Sequence, residues 1–105
     1  MPEPVGTAGQ PPTYDLLVRR ALLLDGSGGP PVLGDLAVAA GRIAAIAGAG
    51  TLAPAAAAVV FEADGLALAP GFIDVHTHDD TQVVRAPQMA PKLSQGVTTV
   101  VVGNC

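Results

Sequence analysis

Polar and apolar side chains alternate with a period of two along residues 72–78, which is the pattern of a β-strand. One face of this predicted strand carries Ile73, Val75 and Thr77. The other face carries a carboxylate and two imidazoles, those of Asp74, His76 and His78. Because such groups are costly to bury without partners, the polar face predicts a bound divalent metal ion.

A second strand is predicted at residues 97–102, an apolar and mostly β-branched run typical of a buried parallel strand. A short helix is predicted before it at residues 91–95, since Pro91 suits the first helical position and Gly96 suits the position after the last. A strand, a crossover of about a dozen or more residues and a second strand together predict a parallel β pair.

The C-terminal ends of two parallel strands lie at the same edge of a sheet, and this edge is predicted to carry a set of metal ligands. It brings His76 and His78 towards Cys105, which follows the second strand. Imidazoles at positions i and i+2 can bind one ion while the side chain between them faces away, and a thiolate is a strong zinc ligand. Without a metal, the histidines would be ordinary residues of an exposed strand and Cys105 a small buried residue.

Three acidic residues flank the histidines in the sequence. Asp74 either orients a ligating imidazole through its carboxylate or bonds to backbone as an ordinary strand residue. Asp79 and Asp80 directly follow the histidines and are predicted to be solvated loop charges or loop caps.

The segment before this unit, residues 14–69, predicts several short strands separated by turns. Ala40-Gly41 and Asp64-Gly65 each predict a tight hairpin, the second being the stronger signal. The predicted strands are residues 14–24, 35–40, 42–47, 59–63 and 66–69. Residues 1–13 are rich in proline and glycine and are predicted to form a disordered tail.

Composition narrows the possible partners and the compartment. The chain of 105 residues carries five Lys and Arg against nine Asp and Glu and has no basic run, so nucleic acids and anionic membranes are poor partners. Its single cysteine excludes an intrachain disulfide and fits a reducing, cytoplasmic environment. The uncharged stretch at residues 43–61 is interrupted by Gly and Pro, so it predicts strands and turns rather than a membrane-spanning helix.

The run of residues 70–78, Pro-Gly-Phe-Ile-Asp-Val-His-Thr-His, resembles the entry into the first barrel strand of the amidohydrolase superfamily. Residues 14–18, the turn at Asp25-Gly26 and residues 41–46 resemble the small β-sandwich segment that precedes this barrel. Both resemblances are to the superfamily as a whole.

Three further segments are more specific. Residues 78–80, residues 91–100 with their Gly-Val-Thr-Thr sequence, and Gly-Asn-Cys at residues 103–105 are similar to those of the N-acyl-D-amino-acid deacylases, or D-aminoacylases. Together the resemblances cover nearly all of the chain after residue 13.

The resemblance implies an α/β fold with a β-sandwich. Residues 14–69 would form the small composite β-sandwich segment, and residues 70–105 would form strands 1 and 2 of an incomplete, truncated TIM-type (β/α)8 metal-dependent hydrolase barrel. In this family the histidines equivalent to His76 and His78 belong to one metal position. The cysteine equivalent to Cys105 is a zinc ligand, in the place of a carboxylated lysine or glutamate of other relatives.

The function that the resemblance implies is zinc-dependent hydrolysis of N-acyl-D-amino acids, small-molecule substrates, to a carboxylate and a D-amino acid. The general acid/base of the family comes from a later strand, beyond residue 105. We therefore expect this chain to be the N-terminal part of a longer enzyme and to be inactive alone.

Three alternatives remain open at this point. The chain could belong to a dihydroorotase- or hydantoinase-like cyclic amidase, although those usually bridge their metals with a carboxylated lysine. It could be a non-catalytic, truncated β-rich module. Cys105 could also be a nucleophile, although no histidine follows it as a base.

Overall fold

The computed structural model describes residues 12–103, so most of the predicted tail at residues 1–13, together with Asn104 and Cys105, lies outside the described residues. The chain divides into two compact units, Met1–Ala69 and Pro70–Cys105. Among residues 12–103, no helix has the length and apolar character needed to cross a membrane. The uncharged stretch forms strands and a short 3-10 turn at Pro54–Ala56, as the sequence predicted.

The first unit is a single five-stranded sheet in its described part. Its strands are β1 (Tyr14–Leu23), β2 (Val32–Ala39), β3 (Arg42–Gly48), β4 (Ala57–Glu62) and β5 (Ala67–Leu68). The order is β3-β2-β1-β4, with β5 also beside β1. Strands β1 to β3 are antiparallel neighbours, whereas β4 and β5 both run parallel to β1. The mostly β character is confirmed, while a two-layered sandwich stays a prediction.

The hairpin predicted at Ala40-Gly41 is confirmed. β2 and β3 pair in antiparallel register on either side of it. Ala40 and Gly41 have φ angles of 51° and 74°. Positive φ at both central positions is the geometry of a type I′ turn, whose twist matches that of the flanking strands.

The hairpin predicted at Asp64-Gly65 is wrong, because β4 and β5 do not pair with each other. Both lie beside β1, which contains a bulge where Arg20 adopts a left-handed φ of 53°. The Gly65 N–H donates to the Arg20 carbonyl at 2.8 Å. The turn therefore follows the bulge of β1, and the chain continues in its original direction instead of reversing.

The core of the first unit is small. Its buried apolar residues are Leu17, Val18, Ala21, Ala37 and Ala63. Three of these five are alanines, so the apolar area removed from water is limited. Larger apolar side chains lie at the surface, including Phe61, which is 51% exposed.

The one fully buried charged group in the described chain is the carboxylate of Asp35. It accepts backbone N–H bonds from Arg20 and Gly50 at 2.8 Å and from Leu52 at 2.9 Å. Burial raises the pKa of Asp35, but the three N–H donors and the nearby Arg19 guanidinium outweigh it, and the pKa lies below its usual value. Asp35 thus ties the β1 bulge to the loop after β3.

The second unit contains β6 (Phe72–Asp74), α1 (Gln82–Arg85), α2 (Ala90–Leu93) and β7 (Val97–Val100). The parallel pairing of β6 with β7 is confirmed. The helix α2 begins one residue earlier than predicted, so that Pro91 occupies its second position, and Gly96 follows with a φ of 85°.

The strand predicted at residues 72–78 is shorter in the structure, where β6 ends at Asp74. The pairing of β6 with β7 ends at Asp74 and its partner Val100. The Asp74 carboxylate also lies 3.4 Å from the His76 N–H, a contact that turns the chain out of the extended form. Residues 75–78 therefore form a loop beyond the strand end, which we call the histidine loop.

We expect substitution of Gly71 by alanine to destabilise the second unit by about 1–3 kcal/mol, because it overpacks the contact between the two strands. A Cβ at Gly71 would lie 2.7 Å from the Thr98 Cβ and overlap the rest of that side chain. Thermal unfolding and hydrogen exchange at Phe72, whose N–H donates to Gly96, would measure the loss.

The matched control is Gly48→Ala, since a Cβ there meets only an ordinary contact of 3.6 Å with Thr51. Adding Thr98→Gly to the Gly71 variant removes the overlapping atoms and should restore part of the stability. Equal stability of the two alanine variants would contradict the predicted overlap.

Candidate metal centre

The histidine loop lies at the edge of the second unit where both parallel strands end. β6 and β7 run in the same direction, so their C-terminal ends meet at this edge. Both histidines of the loop are exposed. Their ring centroids lie 5.4 Å apart with an interplanar angle of 68°.

The spacing of the two rings is close to the geometry of a shared zinc ion. With zinc–nitrogen bonds of about 2.0–2.1 Å and tetrahedral angles, the centroids of two ligating imidazoles lie roughly 5 Å apart. The observed separation of 5.4 Å between His76 and His78 is close to this value. This ring spacing is compatible with a single metal ion held between the two side chains.

Thr77 lies between the histidines and anchors the loop. It is buried, with 4% of its surface exposed, and its hydroxyl donates to the Val101 carbonyl at 2.9 Å. The Val101 N–H in turn donates to the Asp74 carbonyl at 2.9 Å. Thr77 is thus held by the segment that follows β7.

Asp74 contacts a backbone N–H, as one of its two interpretations predicted, and also a cation that neither interpretation included. Its Oδ1 atom lies 3.4 Å from the His76 N–H, and its Oδ2 atom accepts a bond of 2.6 Å from the Lys92 ammonium. The bond from Lys92 lowers the pKa of Asp74 and outweighs the opposing effect of burial. The same bond raises the pKa of Lys92, which therefore stays protonated.

Sequence reasoning missed Lys92. Its ammonium also lies 3.5 Å from the carboxylate of Asp79, so one cation faces two acidic groups. The available signal was compositional, since Lys92 is the only lysine of the chain and lies in the same segment as three aspartates.

Asp80 is a loop cap, one of the two roles predicted for it. Its carboxylate accepts the Gly103 N–H at 2.9 Å. This bond ties the residues after the histidine loop to the segment after β7, which leads to Cys105. Cys105 itself lies outside the described residues.

Within residues 12–103, no group of three His, Cys, Asp or Glu side chains converges as a metal cluster. The described part of the chain supplies a pair of imidazoles. A third ligand from the predicted set requires Cys105.

Comparison with known proteins gives consistent similarities. Residues 59–105 match the Amidohydrolase family. Over 95 residues the chain is 55% identical to an N-acyl-D-aspartate deacylase of Alcaligenes xylosoxydans xylosoxydans, covering 90% of this chain and 18% of that protein. It is 53% identical over 92 residues to a D-aminoacylase of the same organism, covering 88% of this chain and 18% of that protein.

A solved structure is similar as well. The N-acyl-D-glutamate deacylase of Bordetella bronchiseptica, crystallised with zinc and a phosphonate mimic of the tetrahedral intermediate, matches with a TM-score of 0.78 and 47% identity. The match covers 89% of this chain and 19% of that structure. The chain thus spans about a fifth of the length of the relatives it matches.

Proposed function

The chain belongs to the amidohydrolase family, and from this premise we propose that it forms the N-terminal part of a zinc-dependent enzyme that hydrolyses N-acyl-D-amino acids. The products would be a carboxylate and a D-amino acid. The observation that carries the proposal is the His76–His78 pair, with rings 5.4 Å apart at the C-terminal edge of a parallel strand pair. The names of the relatives, which are deacylases of D-amino acids, support the substrate class.

We assign the zinc ligands of this segment to His76, His78 and Cys105. Bound zinc would supply Lewis acidity, lowering the pKa of a water molecule and polarising the amide carbonyl. The chain's own contribution would be to present two imidazoles and one thiolate. Thr77 and Asp80 support this by holding the loop and the segment after β7 in place.

The general acid/base of the reaction is proposed to come from outside these 105 residues. Each carboxylate near the histidine loop already has a partner. Asp74 and Asp79 face Lys92, and Asp80 accepts the Gly103 N–H. A proton-transfer group needs a carboxylate that can reach the substrate, and these three are held by other contacts.

The domain assignment follows from the same proposal. Residues 14–69 would belong to a small β-sandwich, and β6 and β7 would be strands 1 and 2 of a TIM-type barrel. In such barrels the active site lies at the C-terminal ends of the strands. The position of the histidine loop, at that end of β6, supports this assignment.

The decisive experiment measures hydrolysis by the full-length protein that contains this chain. N-acetyl-D-aspartate, N-acetyl-D-glutamate and N-acetyl-D-leucine would be compared with their L-enantiomers and with hydantoin and dihydroorotate. We expect turnover of D-substrates only, lost on chelation and restored by zinc. Turnover confined to the cyclic amides would replace the deacylase proposal by a cyclic amidase, and the 105-residue chain alone should show none.

A further inference from the structure

The histidine loop has no strand ladder to hold it. β6 and β7 stop pairing at Asp74 and Val100, so residues 75–78 depend on other contacts for their position. One such contact is the Thr77 hydroxyl bond to Val101. A further set of contacts involves Lys92 and the two residues that flank the loop, Asp74 and Asp79.

Two carboxylates bracket the histidine loop in sequence and face the same cation. Asp74 immediately precedes the loop and lies 2.6 Å from the Lys92 ammonium. Asp79 immediately follows the loop and lies 3.5 Å from the same nitrogen. The cation therefore joins both ends of a four-residue segment that contains both imidazoles.

The contact between Lys92 and Asp79 matters because one oxygen of the Asp79 carboxylate is buried. The Asp79 Oδ2 atom is shielded from solvent and accepts no hydrogen bond from any residue in the described range. A shielded carboxylate oxygen without a donor needs a nearby positive charge, and the ammonium group of Lys92 supplies it. Removing that charge would leave two carboxylates together with no cation between them, and they would repel.

Lys92 also connects the loop to the crossover. It lies in α2, whose backbone bonds run from Met89 to Leu93, just before β7 begins. Through Lys92, the loop after the first strand is thus fixed to the segment that leads into the second strand.

We propose that Lys92 is a positioning residue of the metal centre, which holds His76 and His78 in ligating geometry by joining Asp74 to Asp79. This inference rests on the proposed function, since it assumes that the two histidines bind metal. Lys92 itself makes no contact with metal or substrate in this arrangement.

The test uses the full-length protein with cobalt(II) in place of zinc. Lys92→Met keeps the volume of the side chain and removes its charge. We expect it to weaken cobalt affinity, measured by competition with a chelator, by about tenfold or more, the range seen when residues that support metal ligands are lost. We also expect the visible cobalt spectrum to change, because the ligand angles change, and kcat to fall more than KM rises.

Two variants test whether Lys92 positions the metal ligands or only stabilises the fold. Lys92→Arg keeps a cation within reach of both carboxylates and should restore affinity and spectrum to near those of the parent. Arg85→Met removes a cation from the exposed surface of α1 and should leave both unchanged. If Lys92→Met does not fold, Asp79→Asn provides the test, and it should alter the cobalt spectrum with a smaller loss of affinity.

The outcomes distinguish this inference from the proposed function. If the parent protein binds no cobalt and hydrolyses no D-substrate, the proposed function fails. If the parent does both, and Lys92→Met or Asp79→Asn shows the parent's affinity and spectrum, only the positioning role of Lys92 is overturned.

Discussion

Replacing Asp35 by alanine is expected to lower the stability of the first unit by about 3 kcal/mol, since three N–H groups that donate to this buried carboxylate lose their acceptor, each at roughly 1 kcal/mol or more. The donors are those of Arg20, Gly50 and Leu52. The Arg20 backbone is strained as well, with a φ of 53° that the bond to Asp35 helps to maintain. Loss of the carboxylate should therefore release both the β1 bulge and the loop after β3.

Hydrogen exchange in the full-length protein is the appropriate measurement, because it reports opening at these amides even when other parts stay folded. Exchange should accelerate in peptides that contain Arg20, Gly50 and Leu52. Asp35→Asn keeps one carbonyl oxygen and presents an NH₂ group to the third donor, so it should fall between the parent and Asp35→Ala. Asp64→Asn is the matched control, since its side chain is 74% exposed, and it should change stability by about 0.5 kcal/mol or less.

The pH dependence of the Asp35 effect has a defined sign. Its pKa in the folded state lies below the ordinary value of 3.8, so the carboxylate is favoured in the folded protein. Its contribution is fully present above the unfolded-state pKa and is lost as the pH falls through the lower folded-state value. The stability difference between parent and Asp35→Asn should therefore be constant near neutrality and shrink in acid. A difference that grew in acid would contradict the assignment.

Local signals predicted the parts of the fold that local geometry determines. Ala40-Gly41 forms a hairpin because two consecutive residues with positive φ produce the turn by themselves. Asp64-Gly65 carries the same kind of signal and also has positive φ at both residues. It does not form a hairpin because the bulge of β1 at Arg20 sets the path of the chain there. The pattern within residues 59–69 contains no information about that bulge.

In the candidate site, too, the sequence predicted what depends on one segment and missed what depends on contacts between segments. The alternation along residues 72–78 placed the two imidazoles near each other, since that depends on spacing within one segment. It could not show that β6 would end at Asp74, because that depends on where β7 ends. The contacts of Lys92 with Asp74 and Asp79 join residues 18 and 13 positions apart and arise only when the crossover folds back. Asp35 was missed for the same reason, because its three donors come from two other segments.

Replacing Cys105 by alanine in the full-length protein is expected to weaken zinc binding by more than about a hundredfold, beyond the 10–100-fold range of residues that only support ligands. The physical reason is that a thiolate supplies negative charge and a soft donor to the ion, and alanine supplies neither. Hydrolysis should fall in parallel at limiting zinc. His78→Ala should have a similar effect on affinity, since it removes one imidazole of the pair that lies 5.4 Å apart.

Cobalt substitution identifies the donor atom directly. A thiolate ligand produces an intense near-ultraviolet charge-transfer band, which should be present in the parent, weakened in His78→Ala and absent in Cys105→Ala. Ser94→Ala, which removes a hydroxyl that donates to the Pro91 carbonyl, is the control and should retain the band. A parent band that persists in Cys105→Ala would assign the thiolate to another cysteine of the longer protein. In that case His76 and His78 would remain the only ligands proposed from this segment, and the specific link to the deacylases through Cys105 would be lost.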